Sequence, residues 1–223
     1  DFLRVLFDKF IKETNLTAIQ NHLLEQGIYL IFETAKEGTK VDGVSLKVNE
    51  KPVGAMSLRL KNVDSFWFTL LHELSHIVLH FDELNEPIVD YFEESSDLDI
   101  NKLEKQANKL AREIMIPNSI WRTIKTTRNL EDLASYSKLF EVHPSIIAGR
   151  LSFENNDWAV YSKLRAEYKI NYEIIEKNKI PVYSLNSDLN NILTGIPCFY
   201  IQLPINNVIF KAIDLRNNVF EDK

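Results

Sequence analysis

Residues 65–80 constrain the fold more than any other part of the chain. Read as a helix with Asp64 as its N-cap, they carry Phe66, Trp67, Phe68, Leu70, Leu71, Leu74, Ile77, Val78 and Leu79 around most of the circumference. At roughly 100° per residue, Ser65, Thr69, His72, Glu73, His76 and His80 fall within an arc of about 100°, with Ser75 outside it. A helix this apolar belongs at the centre of a domain. Its polar stripe must then face something that satisfies it, because unpaired imidazoles and a carboxylate are costly to bury. A metal ion beside a water-filled cleft meets that need.

The flanking sequence supplies the layers such a helix requires. Residues 2–26 place Leu3, Leu6, Phe7 and Phe10 at helical spacing and predict two helices that Gly27 ends. Residues 28–32 predict a buried strand, Gly38 and Asp42-Gly43 predict turns, and 44–48 alternates as a strand should. Pro52 opens a further strand over 53–60, which the proline marks as an edge strand. The acidic stretch 82–99, broken by Pro87, reads as a solvated loop. Helical pattern resumes over 101–116 and stops at Pro117. A helix pair over 130–140 and 144–151 and a charged helix near 158–168 follow. From Ile180 the pattern turns to β-like runs at 181–183, 198–203 and 208–213. The expected class is α+β, mostly helical, with a β-containing C-terminal tail. Residues 1–170 are expected to form one domain that includes the helix pair, and 171–223 a small region with no assigned role.

Charge and cysteine content narrow the function. Eight acids and no Lys or Arg lie between Asp82 and Asp99; without them the remainder of the chain is close to neutral. No basic patch of the kind that binds nucleic acid is present in the sequence. The longest apolar run, 66–71, is far shorter than a membrane span. Cys198 is the single cysteine, which excludes an internal disulfide and a thiolate zinc cluster and fits a reducing cytoplasm. The first residues mix acids and bases among apolar positions, unlike a secretory signal, and begin without Met. A processed chain or a piece of a longer protein is therefore expected, with the presence of an upstream domain left open.

The chemistry sits in His72-Glu73-Leu74-Ser75-His76. The two histidines are one turn apart on one face, placed to share a tetrahedral zinc, and Glu73 flanks them where it can act as a base without being a ligand. His80 lies about 12 Å from His72 along the axis, too far to share the same ion; at a helix C-terminus its imidazole suits the dipole. The third ligand is open among Glu104, Glu113 and the loop acids. Glu104 is favoured because Ala107 and Ala111 share its face and let the next helix press close. Alternatively, Glu104 is a solvated first-turn carboxylate. Tyr91 and the tail tyrosines are candidates for oxyanion stabilisation.

Residues 66–80 resemble the zinc helix of the ImmA/IrrE family of metallo-endopeptidases, and Glu104-Lys-Gln-Ala-Asn-Lys-Leu-Ala-Arg-Glu-Ile-Met-Ile-Pro117 is similar to that family's second motif. Gly27-Ile28, Asp42-Gly43 and 52–59 fit its lead-in, and 142–151 resembles a segment found in members fused to helix-turn-helix regulators. The resemblance covers about residues 20–165. It implies a gluzincin-like fold with a small mixed sheet whose edge strand lines the cleft. It also implies His72, His76 and Glu104 as zinc ligands and Glu73 as catalytic base. Position 106, often acidic in the family, is Gln here.

The resemblance points to sequence-limited cleavage of a protein substrate, a DNA-binding regulator, with no membrane or direct nucleic-acid partner for this chain. The competing expectation is a non-hydrolytic, zinc-bearing regulatory or antitoxin-type module. A third is a phage or mobile-element protein that binds a partner through its acidic loop. The helix pair 130–151 could also be read as helix-turn-helix, but its second helix offers only Arg150 as a cation for DNA.

Overall fold

The computed structural model describes residues 2–33, 41–84, 88–89, 98–127 and 129–170. Two amphipathic helices open the chain: α1, Phe2–Phe10, and α2, Leu16–Glu25. The second ends as its sequence predicts. Gly27 takes φ +80°, Ile28 N–H donates to Leu23 O and Gly27 N–H to Leu24 O, both at 2.9 Å, the paired bonds of a Schellman cap. Strands β1 (Tyr29–Glu33), β2 (Gly43–Val48) and β3 (Lys51–Ser57) follow, and the turn joining β2 to β3 places Asn49 and Glu50 both at positive φ.

Next comes α3, Val63–Leu79, then a short 3-10 turn, Phe81–Glu83, and β4, Ile88–Val89. The remaining described elements are α4 (Leu98–Met115), α5 (Asn118–Ile124), α6 (Leu130–Phe140), α7 (Pro144–Glu154) and α8 (Ser162–Glu167). The fold is α+β and mostly helical, with one small mixed sheet in the order β1-β3-β2-β4. β1 runs parallel to β3, and the other pairs are antiparallel.

The apolar helix does lie at the centre. α3 packs against α4 on one side, β2 and β3 on another, and α1 and α7 beyond. Phe66, Trp67, Leu70, Leu71 and Leu74 are all but inaccessible. Phe7 meets the Trp67 ring edge-on at 5.2 Å, and the indole N–H donates to Thr14 Oγ1. Ser65 and Phe68 are half-buried, and the fully exposed side chains of α3, Val78 and Leu79, lie in its last turn.

Three expectations change. Asp64 is not the N-cap of α3; that position is Asn62, which makes no side-chain cap bond. Asp64 is instead a buried carboxylate in the first turn, bound by Arg165 of α8 with Nε to Oδ2 at 2.8 Å. A methyl group at Gly149 of α7 would collide with Asp64, so that glycine lets α7 reach the start of α3. Second, β3 is an interior strand. Its pairing with β1 begins at Val53, so the N–H that Pro52 lacks falls outside that ladder. Third, the acidic stretch is not all solvated loop, since Leu84 and Ile88 are buried, 88–89 pairs with β2, and α4 begins at Leu98. Pro117 follows the end of α4 at Met115, as expected, and is also the N-cap residue of α5. The expected β-containing tail and the 171–223 region lie outside the described residues.

Candidate metal centre

The central helix presents His72 and His76 one turn apart, and α4 runs alongside it. Ala107 and Ala111 of α4 are completely buried, and their methyl side chains take little room in the packing of α4 on α3. That close approach carries Glu104 to the histidines. Nε2 of His72 lies 3.1 Å from Nε2 of His76. It is also 3.2 Å from Oε2 of Glu104, whose Oε1 is 3.3 Å from Nε2 of His76. The imidazoles are 1% exposed and the Glu104 side chain 20%, so the cluster opens on its Glu104 side. No other described group of His, Cys, Asp or Glu side chains gathers three ligand atoms in this way.

Three lone-pair donors pointing at one another are unfavourable unless a cation sits among them. A zinc ion with ligands at about 2.0–2.1 Å in a tetrahedron would hold neighbouring ligand atoms roughly 3.3 Å apart. The observed separations fit that requirement, and Oε1 of Glu104 is buried without a hydrogen-bond donor of its own. Protonation states agree. Burial lowers the His76 pKa, with Glu104 opposing and the neighbouring His72 and His80 adding to the effect, which favours the neutral ring. Burial raises the Glu104 carboxyl, but hydrogen bonding and charge from His72 and His76, which the rings supply when protonated at Nε2, outweigh it and pull it down to about 2. Neutral imidazole and ionised carboxylate are the forms that bind a metal.

Glu73, one residue on, is turned to the sheet side of the cluster. It is 1% exposed, and Ser45 of β2 holds it, with Oγ 2.5 Å from Oε2 and 2.9 Å from the Glu73 carbonyl oxygen. A methyl group at Gly43 would overlap the Glu73 carboxylate. Gly43 is therefore needed for space and not for a turn, which corrects the expectation at Asp42-Gly43. The sequence marked Gly43 only as a turn and Ser45 only as part of a strand, and gave neither a place beside Glu73. Their spacing of two puts them on one face of β2, but only the packing shows that α3 lies against that face.

The other candidates are engaged elsewhere. Glu113 accepts the Asn118 backbone N–H at 3.1 and 3.2 Å. His80 is the C-cap residue of α3, and its ring is buried against His76 and Gln106. Asp82 and Glu83 are exposed, whereas the side chains of the other loop acids, Tyr91 and the tail tyrosines lie outside the described residues. Arg150 stacks 4.2 Å above the Trp121 ring, pairs with Glu154 and donates to the carbonyls of Arg112 and Ile116. It is tied into the protein on the largely buried α7.

Comparison with known proteins follows the same line. Residues 26–152, more than half the chain, match the peptidase M78 family, described as the IrrE N-terminal-like domain. The chain belongs to the IrrE-like family. That family's metallopeptidase-like domain thus spans β1 to most of α7, and both helices of the His-His-Glu cluster lie within it. Among solved structures, a Mycobacterium tuberculosis transcriptional regulator is similar at 15% identity with a TM-score of 0.36. The match covers 68% of this chain and 45% of that one, less than half the regulator's length. No curated protein sequence matches. No described helix is long and apolar enough to cross a membrane.

Proposed function

We propose that the chain is a zinc-dependent endopeptidase that hydrolyses a specific protein substrate, a DNA-binding regulator, with Glu73 as general base. The observation that carries this reading is the convergence of His72, His76 and Glu104 at 3.1–3.3 Å, with a second carboxylate, Glu73, on the residue next to His72. A structural zinc would use its neighbours as ligands and would have no need of a buried carboxylate beside a ligand in the chain. His72, His76 and Glu104 would hold the ion. When bound, zinc supplies Lewis acidity toward a peptide carbonyl and makes water more acidic.

The remaining chemistry belongs to the chain. Glu73 accepts the proton of the attacking water and passes it to the leaving amine, a role worth about 10² to 10⁴ in rate. Ser45 and Gly43 set where that carboxylate sits. Strand addition of an extended substrate would use an edge of the described sheet, β1 or β4, because β3 is interior. The single cysteine, Cys198, supports a reducing cytoplasm as the compartment.

Purified protein should carry about one zinc per chain. Glu73→Gln should keep that zinc and lose at least about 10²-fold in hydrolysis. Incubation with the regulators encoded beside the gene, with cuts mapped by mass spectrometry, identifies the substrate. Cellular function that survives Glu73→Gln but not His72→Ala would replace the peptidase with a non-hydrolytic, zinc-bearing regulator.

A further inference from the structure

A neutral imidazole binds a metal through one nitrogen, and the hydrogen bond made by the other decides which. At His76 that second bond is visible. Its Nδ1 lies 3.1 Å from Nδ1 of His80, and Nε2 of His80 lies 2.8 Å from Oε1 of Gln106. An amide oxygen only accepts, so Nε2 of His80 carries the hydrogen. Nδ1 of that neutral ring is then bare and accepts from Nδ1–H of His76. Nε2 of His76 is in turn bare, and it is the atom facing His72 and Glu104.

We propose that His80 and Gln106 are positioning residues: together they fix the Nδ1–H tautomer of His76 and aim its Nε2 at the metal. This deepens the metal reading above and rests on it for the identity of the ion. The parts sit where they must. His80 is four residues past His76, leaves the helix at φ −129° and is 2% exposed, so its ring is held under the last turn. Gln106 is two residues past Glu104, so α4 supplies both a ligand and the end of the relay. A hydrogen on the wrong nitrogen of His76 would point at Glu104 and His72 and close the site. Gln106 anchors His80 without adding a second charge beside Glu104.

The tautomer can be read without metal. Long-range proton–nitrogen NMR of the histidine rings in zinc-free protein at neutral pH should show His76 protonated at Nδ1. His80→Phe and Gln106→Leu should each redistribute that proton toward Nε2. In both variants zinc affinity, measured by competition with a chromophoric chelator, should weaken by about 10–100-fold, as for other partners of ligating histidines. Gln106→Glu keeps an acceptor and should restore affinity toward wild type. Cobalt-substituted Gln106→Leu should keep the absorption of a site with the same three protein ligands, unlike Glu104→Gln. Gln106 is exposed, so its variants should fold even if a buried His80 substitution does not. A wild-type His76 protonated at Nε2 overturns the proposal, as do His80→Phe and Gln106→Leu proteins with unchanged affinity and tautomer. Wild-type protein that shows the Nδ1–H tautomer yet takes up no zinc supports the relay and overturns the metal reading.

Discussion

At the scale of single residues, the site is a set of lone pairs whose protonation states decide what it holds. The His76 ring has its pKa lowered from the ordinary 6.5 by burial, and Glu104 is held down at about 2. Metal is lost when ligands take up protons. Glu104 stays ionised far into acid, so the histidines set the limit, and His76 titrates below 6.5. Zinc retained after dialysis should be level from pH 8 to about 6.5 and fall below that; half-loss above pH 7 would contradict this order. Ser45 makes a second case. Its hydroxyl is the donor to Glu73, and a hydrogen bond to a charged group is worth about 1.5–3 kcal/mol. Ser45→Ala should lower kcat/KM by about 10- to 100-fold with zinc content unchanged, because the described hydrogen bonds of its hydroxyl go to Glu73. Zinc loss in that variant would mean that β2 supports the ligands and not the base.

At the scale of elements, the sequence disclosed what is periodic and concealed what is relational. The all-apolar face of α3, the cap at Gly27 and the helix pair follow from local pattern, and most described helices and strands lie close to where that pattern puts them, whereas α5 and β4 have no counterpart in it. His72, His76 and Glu73 were legible because one helix sets their geometry; Glu104 needed the small residues Ala107 and Ala111 to single it out. Pairing order was not legible. Pro52 suggests an edge, yet it sits just before the β1 ladder begins, which local sequence cannot reveal. The partner of Asp64 was equally hidden, being 101 residues away. That pair fastens α8 to the start of α3, together with the Val63 N–H bond to Tyr168 O and the Ile170 N–H bond to Lys61 O. Burial raises the Asp64 carboxyl while Arg165 pulls it back, so the pair is under tension between desolvation and attraction. Asp64→Asn or Arg165→Met alone should each cost about 3–5 kcal/mol, a drop in Tm of about 6–20 °C. The double variant should cost less than the sum, measured by thermal denaturation; additive losses would show that the two groups do not act as a pair.

At the scale of the whole molecule, the question is whether the metal holds the fold or the fold holds the metal. In small metal-dependent domains the ion replaces a hydrophobic core that the chain is too short to build. Here the core is continuous from Leu6 and Phe7 of α1 through Trp67, Leu70 and Leu74 of α3 to Ile146 and Leu151 of α7. These side chains surround α3 on the faces away from the histidines. The polar stripe is one edge of a helix that apolar burial already fixes in place. α4 is a partial exception, since Glu104 reaches the cluster from it, although Ala111, Ile114 and Met115 bind the same helix into the core. Chelation should therefore leave the far-ultraviolet circular dichroism nearly unchanged at 25 °C. Tm should fall only by what binding linkage supplies, about 2.7 kcal/mol when free zinc is a hundred times its Kd. Hydrogen exchange should place the loosening at the start of α4 and the last turn of α3, with Phe66 to Leu71 still protected. A chelated protein that unfolds outright at 25 °C would show that the three ligands, and not the apolar girdle around α3, hold α4 on the domain.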